Sequence, residues 1–144
     1  MENGNYESTT AKFKLDKDGI IHAIIIKDAD LNVENAIENI EIIEKIAAPP
    51  RYLFADLRLV NSVTRDLRKY FASEKIVNII PTRAILVGSP LAKVTGNMIL
   101  RIMNPTFKVK IFTEEKTALG WLKRIISNTK KNNERDNSIL STSK

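Results

Sequence analysis

The sequence predicts an α/β domain built on a single mixed β-sheet with about four helices. Two observations favour this class. A strand pair joined by a glycine turn occupies residues 11–27, and apolar strand-like runs then alternate with segments of helical periodicity. Such alternation is typical of strand–helix units with parallel strands, whereas a hairpin adds an antiparallel pair, so the predicted sheet is mixed.

The N-terminal hairpin is predicted from its alternation and its turn. Residues 11–15 alternate apolar and polar side chains, as a half-exposed strand does. Residues 16–19 read Asp-Lys-Asp-Gly, in which Gly19 accepts backbone angles that other residues avoid. Residues 20–27 carry apolar side chains on both faces, which favours a strand in the interior of the sheet.

An acidic amphipathic helix and two buried strands follow. Helical spacing predicts a helix over residues 33–47, ended by prolines at 49 and 50. Its apolar stripe consists of Val33, Ala36, Ile37, Ile40, Ile43 and Ala47. Residues 52–57 form the next predicted strand, and residues 83–88 form another.

Two further helices are predicted in the middle of the chain. One covers residues 64–78, with Ser62 or Thr64 as its N-terminal cap. The other covers residues 89–103 and opens with Ser-Pro, a capping side chain followed by proline at the first helical position. Gly96 within it indicates close packing. The stripe of this helix that is predicted to face inward is Leu91, Val94, Met98, Ile99 and Ile102.

The last predicted elements are a strand, a helix and a polar tail. Residues 107–112 alternate as a strand, and Thr113 is the predicted cap of the last helix. The domain is predicted to span residues 11–128. A flexible polar N-terminus at 1–10 and a disordered polar tail at 129–144 are expected to flank it.

Composition restricts the class of protein. The chain contains no cysteine, which excludes disulfides and thiolate metal sites and suits a reducing, cytoplasmic location. No apolar run is long enough to cross a membrane and no signal peptide is recognised, so no integral membrane span is expected. The net charge is +6, with acidic residues in excess over 11–50 and basic residues in excess over 51–128. The basic half is interpreted as ordinary surface charge, the alternative being a face that meets an anionic partner.

One edge of the sheet is the candidate ligand site. If the strands at 52–57, 83–88 and 107–112 are parallel, three helix N-termini converge at their carboxyl ends, where free backbone N–H groups favour anions. The candidate binding residues there are Asp56, Arg58, Ser62, Thr64, Arg65, Ser89 and Lys93. Plain helix capping is the simpler explanation of the hydroxyl residues, and Asp56 is expected to accept hydrogen bonds from the backbone of the loop after it.

Groupings that carry catalysis or bind metals are missing from the sequence. No catalytic residue is predicted, because Asp56 has no second acid or nearby histidine to work with. His22 is the single histidine, so no metal site and no cofactor are predicted, and a packed, hydrogen-bonded imidazole is expected. Phosphate-binding glycine motifs are absent and aromatic residues are not interleaved with basic ones, so no nucleic-acid partner is expected.

A second candidate surface lies on the helix at 89–103. Met98, Leu100 and Met103 are its candidate interface residues, because Leu100 lies off the main stripe and methionine adapts to varied partners. They would bind a protein partner or a second copy in a homodimer. The simpler interpretation is that they belong to the core against the sheet.

The order of elements resembles that of the STAS domain, the fold of the anti-sigma-factor antagonists. It is more closely similar to the small bacterial SpoIIAA-like (STAS/SEC14-type) proteins. The matching stretches are Asp18-Gly19-Ile20, Asp56-Leu57-Arg58 with Val60 and Ser62, Arg68 with Tyr70-Phe71-Ala72-Ser73, residues 84–90, and Phe112-Thr113 with Ala118, Trp121 and Leu122. The resemblance covers residues 11–126. It implies a mixed sheet with helices mainly on one side and a regulatory or ligand-binding role.

The resemblance also implies a phosphorylation site. The antagonists are phosphorylated on a serine at the start of the helix after the third strand, within Asp-Ser-Ser-Gly. Here residues 61–65 read Asn-Ser-Val-Thr-Arg, so Ser62 and Thr64 are the candidate phosphosites although the Asp-Ser-Ser-Gly motif is missing. The expected function is a non-enzymatic regulatory module that binds a protein partner. The alternative is a binding domain for a small anionic or lipid-like ligand at the helix N-termini near Ser62 and Ser89.

Overall fold

The computed structural model describes residues 4–60 and 62–142, in which six strands form one mixed sheet and five helices pack around it. The strands are β1 (Tyr6–Glu7), β2 (Ala11–Leu15), β3 (Ile20–Ile25), β4 (Tyr52–Asp56), β5 (Thr82–Leu86) and β6 (Lys108–Phe112). The helices are α1 (Val33–Ile46), α2 (Arg65–Phe71), α3 (Glu74–Ile79), α4 (Pro90–Met103) and α5 (Glu115–Thr142). The predicted α/β class is confirmed.

The strands lie side by side in chain order, from β1 to β6. β1, β2 and β3 pair antiparallel, and Gly19 has a φ of 86° in the turn between β2 and β3, as its turn sequence predicted. β3, β4, β5 and β6 pair parallel. The carboxyl ends of these four strands therefore meet at one edge of the sheet, which we call the rim.

The two faces of the sheet are covered unequally. Side chains of β2, β3 and β4 pack with α1 and α3 in one buried cluster, made of Ala11, Phe13, Ile21, Ala23, Ile25, Ile40, Ile43, Leu53, Ile76 and Ile80. We call this side the four-helix face, because α2 and α4 also lie over it. The opposite side, the α5 face, packs against α5 through Ile20, Tyr52, Phe54, Ala84, Leu86, Phe112, Ala118 and Leu122. Of the helices described, none is long and apolar enough to span a membrane.

The helix predicted over residues 64–78 is interrupted, which corrects the prediction. α2 ends at Phe71 and α3 begins at Glu74. Between them, the backbone N–H and the hydroxyl of Ser73 both donate to the Tyr70 carbonyl, at 3.1 and 2.6 Å. A serine hydroxyl that binds a nearby carbonyl in this way competes with the regular hydrogen bonds of a helix. The helix is therefore interrupted here, although the amphipathic pattern of the sequence continues through the interruption.

Secondary structure is present in both of the segments predicted to flank the domain, and their flexibility stays a prediction. β1 pairs with β2 within the N-terminus expected to be flexible; residues 1–3 lie outside the described part. α5 begins at Glu115 and its Ala118 N–H donates to the Glu114 carbonyl, so Thr113 is not the cap. The helix then runs to Thr142, where a disordered tail was predicted for 129–144; residues 143 and 144 are not described. No proline or glycine follows Gly120, so neither of the two strongest helix breakers interrupts α5 beyond that position.

Candidate functional site

The loops that leave β4, β5 and β6 are neighbours at the rim. The Leu57 N–H donates to the Leu86 carbonyl at 2.8 Å, and the Val87 N–H donates to the Phe112 carbonyl at 2.9 Å. Together with the parallel register, these bonds confirm that the three strands point the same way and that their outgoing loops share one edge.

A cavity of about 860 Å³ opens over the four-helix face, between α1, α2 and α4. Its floor includes two rows of residues in register across β4, β5 and β6: Leu53, Arg83 and Val109, then Ala55, Ile85 and Ile111. Its walls include Ala36, Ile40 and Ile43 of α1, Leu67 and Phe71 of α2, and Ile99, Leu100 and Met103 of α4. The size and the mostly apolar lining are typical of sites for small molecules.

The cavity exists because α4 lies over the edge of the sheet rather than its centre. The Gly96 backbone approaches β6 so closely that a Cβ there would overlap Cδ1 of Ile111, which confirms the close packing predicted for this glycine. The Asn97 amide donates to the Ile111 carbonyl and accepts from the Ile111 N–H, both at 3.3 Å. Held there, α4 leaves the space above Ala55 and Ile85 open.

The seven predicted binding residues do not form one site. Three border the cavity near the rim: Arg58, Ser62 and Ser89. Three do not line it: Thr64, Arg65 and Lys93. Asp56 points to the α5 face, in register with Leu86, so it is separated from the cavity by the sheet.

Thr64 and Ser89 are helix caps, as the simpler explanation predicted, whereas Ser62 is not the cap of α2. The Thr64 Oγ1 accepts from the Leu67 N–H at 3.3 Å, and the Ser89 Oγ accepts from the Ala92 N–H at 3.1 Å. Ser62 and Thr64 are both exposed, and their phosphorylation stays a prediction.

Asp56 forms an ion pair at the rim. Its carboxylate accepts from the Arg58 N–H at 3.1 Å, as expected of the loop, and from the Arg58 guanidinium at 2.7 to 3.2 Å. The Arg58 guanidinium also lies 3.9 Å from Glu115. Burial raises the pKa of Asp56, but the hydrogen bonds and the charge of Arg58 outweigh it, and the pKa falls below its ordinary value of 3.8.

This pair makes the stability of the protein sensitive to acid. Because the folded state lowers the pKa of Asp56, the carboxylate stabilises the fold above pH 3.8, and that contribution disappears as the pH falls through the folded value. We expect Asp56→Asn to lower the free energy of unfolding by about 1 kcal/mol at pH 7, a modest loss because Arg58 is half exposed. The stabilities of the two proteins, measured by urea unfolding, should converge as the pH is lowered through the folded-state pKa of Asp56. A difference that stayed constant as the pH was lowered would contradict the ion-pair explanation.

Arg83 is the residue that the sequence analysis missed. It lies on the floor of the cavity and is only 5% exposed. Its Nε donates to the Ile80 carbonyl at 2.9 Å, and its guanidinium carbon lies 4.2 Å from the centre of the Phe107 ring. Its Nη2 is buried without a hydrogen-bond partner among the described residues. Burial lowers the pKa of Arg83 to about 10, so the side chain is still charged at neutral pH.

One sequence signal pointed toward Arg83. Arg83, Ile85 of β5 and Val87 just after it occupy alternate positions, and all three lie on the four-helix face. A charged residue among alternate positions that are otherwise apolar is unusual, and it indicates a buried group with a function.

His22 is packed and hydrogen-bonded, as predicted. Its Nε2 lies 2.8 Å from the Asp16 carboxylate, and its ring meets that of Phe54 edge to face on the side of the sheet away from the cavity. Within the described ranges, no group of three or more His, Asp or Glu side chains is placed to hold a metal ion.

The apolar stripe predicted to bury α4 faces outward instead. Leu91, Val94, Met98 and Ile102 are 76%, 59%, 53% and 79% exposed. Of this predicted stripe, only Ile99 is half-buried; Ile99 and the exposed Leu91 line the cavity. The predicted interface residues are therefore divided: Met98 belongs to the outer stripe, whereas Leu100 and Met103 line the cavity.

Comparison with known proteins assigns the chain to a family. No curated protein matches it. A crystal structure of a protein of unknown function from Arthrobacter sp. FB24 is 24% identical, over 76% of this chain and 90% of its own, with a TM-score of 0.27. The sequence model of a family described as "Domain of unknown function (DUF7793)" matches residues 13–126, which include β3 to β6 and α1 to α4. The chain therefore belongs to the DUF7793 family.

Proposed function

We propose that this protein is a non-enzymatic binding domain whose ligand is a small lipid-like molecule held in the cavity between α1, α2 and α4. The observation that carries this proposal is the cavity itself, with its volume of about 860 Å³. The cavity is open to solvent on one side, and a concave space of this volume between helices and sheet is of the size that binds small molecules. Its apolar floor and walls suit an alkyl chain or a similar body.

Ligand binding can act as a regulatory signal through α4. No residue of this helix is fully buried, and it is held mainly by the contacts of Gly96 and Asn97 with β6. A ligand that touches Ile99, Leu100 and Met103 adds contacts to its inner side and favours the observed position of the helix. The resemblance to STAS domains supports the same regulatory role as a hypothesis.

Filling the cavity tests the proposal. Ile85→Trp places a larger side chain on the cavity floor, in open space. We expect it to weaken binding of the neutral dye Nile red by at least about tenfold, because the ring takes the space that the dye needs. Fluorescence titration measures the affinity, with Ile24→Trp as the matched control, since Ile24 is exposed on the α5 face.

The two variants separate the outcomes of this test. If the Ile85→Trp and Ile24→Trp proteins both bind the dye as tightly as the unmodified protein does, the dye lies outside the cavity. An unmodified protein that binds neither the dye nor alkyl chains would overturn the proposal.

A second candidate function is self-association through the outer stripe of α4. Four large apolar side chains at helical spacing are exposed there, and α4 carries Lys93 and Arg101 but no acidic residue. The outer surface of α1 is complementary, because it exposes Ile37 among Glu34, Glu41 and Glu44. α4 of one copy against α1 of a second copy, repeated by two-fold symmetry, would cover both surfaces in a closed dimer.

A further inference from the structure

The unpaired charge of Arg83 needs a physical explanation. Burial of an ionised group without a counter-ion is strongly unfavourable, so buried charges in proteins are normally paired. No acidic side chain of the described residues forms an ion pair with Arg83, and burial alone accounts for its lowered pKa. Stacking on Phe107 and the bond to the Ile80 carbonyl compensate only part of the cost.

The other arginines around the four-helix face have partners. Arg58 pairs with Asp56, Arg68 donates to the Val63 carbonyl at 2.6 Å, and Arg51 donates to the carbonyls of Ala47 and Ile79. Arg83 differs from them, since in the described part of the chain it alone has a buried side-chain nitrogen without a partner. That nitrogen belongs to a side chain that lines the cavity.

We infer that Arg83 anchors the carboxylate of a fatty-acid-like ligand inside the cavity, with the ligand's apolar chain lying along the floor toward the rim. The inference rests on the proposed function and specifies its ligand. Nε donates to the Ile80 carbonyl and Nη2 has no partner among the described residues, so we assign the carboxylate to the end of the guanidinium that carries Nη1 and Nη2. A carboxylate accepts two parallel hydrogen bonds from such an end.

The charge and the dimensions favour a carboxylate over a phosphate. One guanidinium balances one negative charge, whereas a phosphate dianion would leave a second charge buried and unpaired. From Arg83 to Leu86, β5 covers about 10 Å at the usual rise per residue, and the cavity continues beyond it to Ser89 at the rim, so its floor accommodates an extended alkyl chain. The anion therefore lies at the inner end of the cavity, not at the helix N-termini near Ser62 and Ser89.

Matched ligands and variants test this inference. Displacement of Nile red compares decanoic acid with decanol, which differ in the headgroup and not in the chain. We expect the unmodified protein to prefer decanoate by about ten- to a hundredfold, because a charge-assisted hydrogen bond is lost with the alcohol. Arg83→Met should abolish the preference, so that decanoate and decanol bind alike, and Arg83→Lys should keep part of it. Arg65→Met, which changes an exposed arginine that does not line the cavity, is the control and should keep all of it. Arg58→Met tests whether the anion lies at the rim instead.

Each outcome distinguishes the inference from the proposed function. Equal binding of decanoate and decanol by the unmodified protein overturns the inference and leaves the binding function standing. A preference that survives in Arg83→Met but disappears in Arg58→Met also overturns it, since the anion would then lie at the rim. If neither compound displaces the dye and the dye itself does not bind, the proposed function fails. Because the first comparison uses the unmodified protein, the inference stays falsifiable even if a variant does not fold.

Discussion

Phe54→Ala is expected to lower the free energy of unfolding by about 3–5 kcal/mol, a large fraction of the stability of a domain of this size. Phe54 is fully buried at the centre of the α5 face, where its ring packs in one cluster with Ala118 and Leu122 and meets His22 at 5.3 Å between ring centres. α5 alone covers this face, so no second helix can move in to fill the space left by the ring. Urea unfolding followed by far-UV circular dichroism measures the loss.

The matched substitution on the other face should cost much less. Ile85 is half-buried in the adjacent strand and borders the cavity, so Ile85→Ala enlarges an existing space rather than creating a new one. We expect a loss of about 1–2 kcal/mol. Equal losses at the two positions would mean that the space above β5 is closed in solution, and this would count against the cavity as a binding site.

Ile102→Glu is expected to weaken self-association strongly without affecting the fold. The side chain is 79% exposed, so the change should alter the stability of the monomer by no more than about 0.5 kcal/mol. In a dimer that buries the outer stripe of α4, a carboxylate at this position would lie unpaired in an apolar contact and weaken association at least about thirtyfold. Sedimentation velocity over a range of protein concentrations measures the effect.

Two charge-reversal variants, one on α1 and one on α5, test whether α4 of one copy contacts α1 of the other copy. Glu41→Lys puts a positive charge on the outer surface of α1 and should also weaken the dimer, by repulsion from Lys93 and Arg101. Glu134→Lys makes the same change on α5 and should have no effect. An unmodified protein that remains monomeric at every concentration would rule out this second function and leave the ligand-binding proposal unaffected.

The sheet was predictable from the sequence because its signals are local. Alternation in residues 11–15, the Asp-Lys-Asp-Gly turn and the isoleucine-rich run after it predict the hairpin directly. The apolar runs ending at Asp56 and Leu86 likewise predict parallel neighbours, since each is followed by a helix long enough to return the chain. The break at Ser73 was not predictable by periodicity, because the apolar spacing continues on both sides of it.

The arrangement of α4 and the burial of Arg83 depend on packing between distant residues. Helical spacing identifies an apolar stripe on α4 but not the side on which the sheet lies. The approach of Gly96 and Asn97 to Ile111 determines that side, and it turns Val94 and Ile102 outward. Arg83 is buried because Phe107, twenty-four positions later in the chain, covers its guanidinium. The capping residues at the rim were easier to recognise from the sequence than Arg83 was. They therefore led to the prediction of an anion site at the rim, whereas we infer one at Arg83.

The contact between Asn97 and Ile111 also bears on how the protein behaves at high concentration. An open strand at the border of a sheet can recruit strands from other molecules and start fibrillar aggregates. On β6, the side-chain amide of Asn97 occupies the N–H and carbonyl of Ile111, and the exposed Lys108 and Lys110 add charge beside it. At the opposite border, β1 is only two residues long. Both borders therefore discourage intermolecular strand addition, which favours a protein that stays dispersed when it is concentrated.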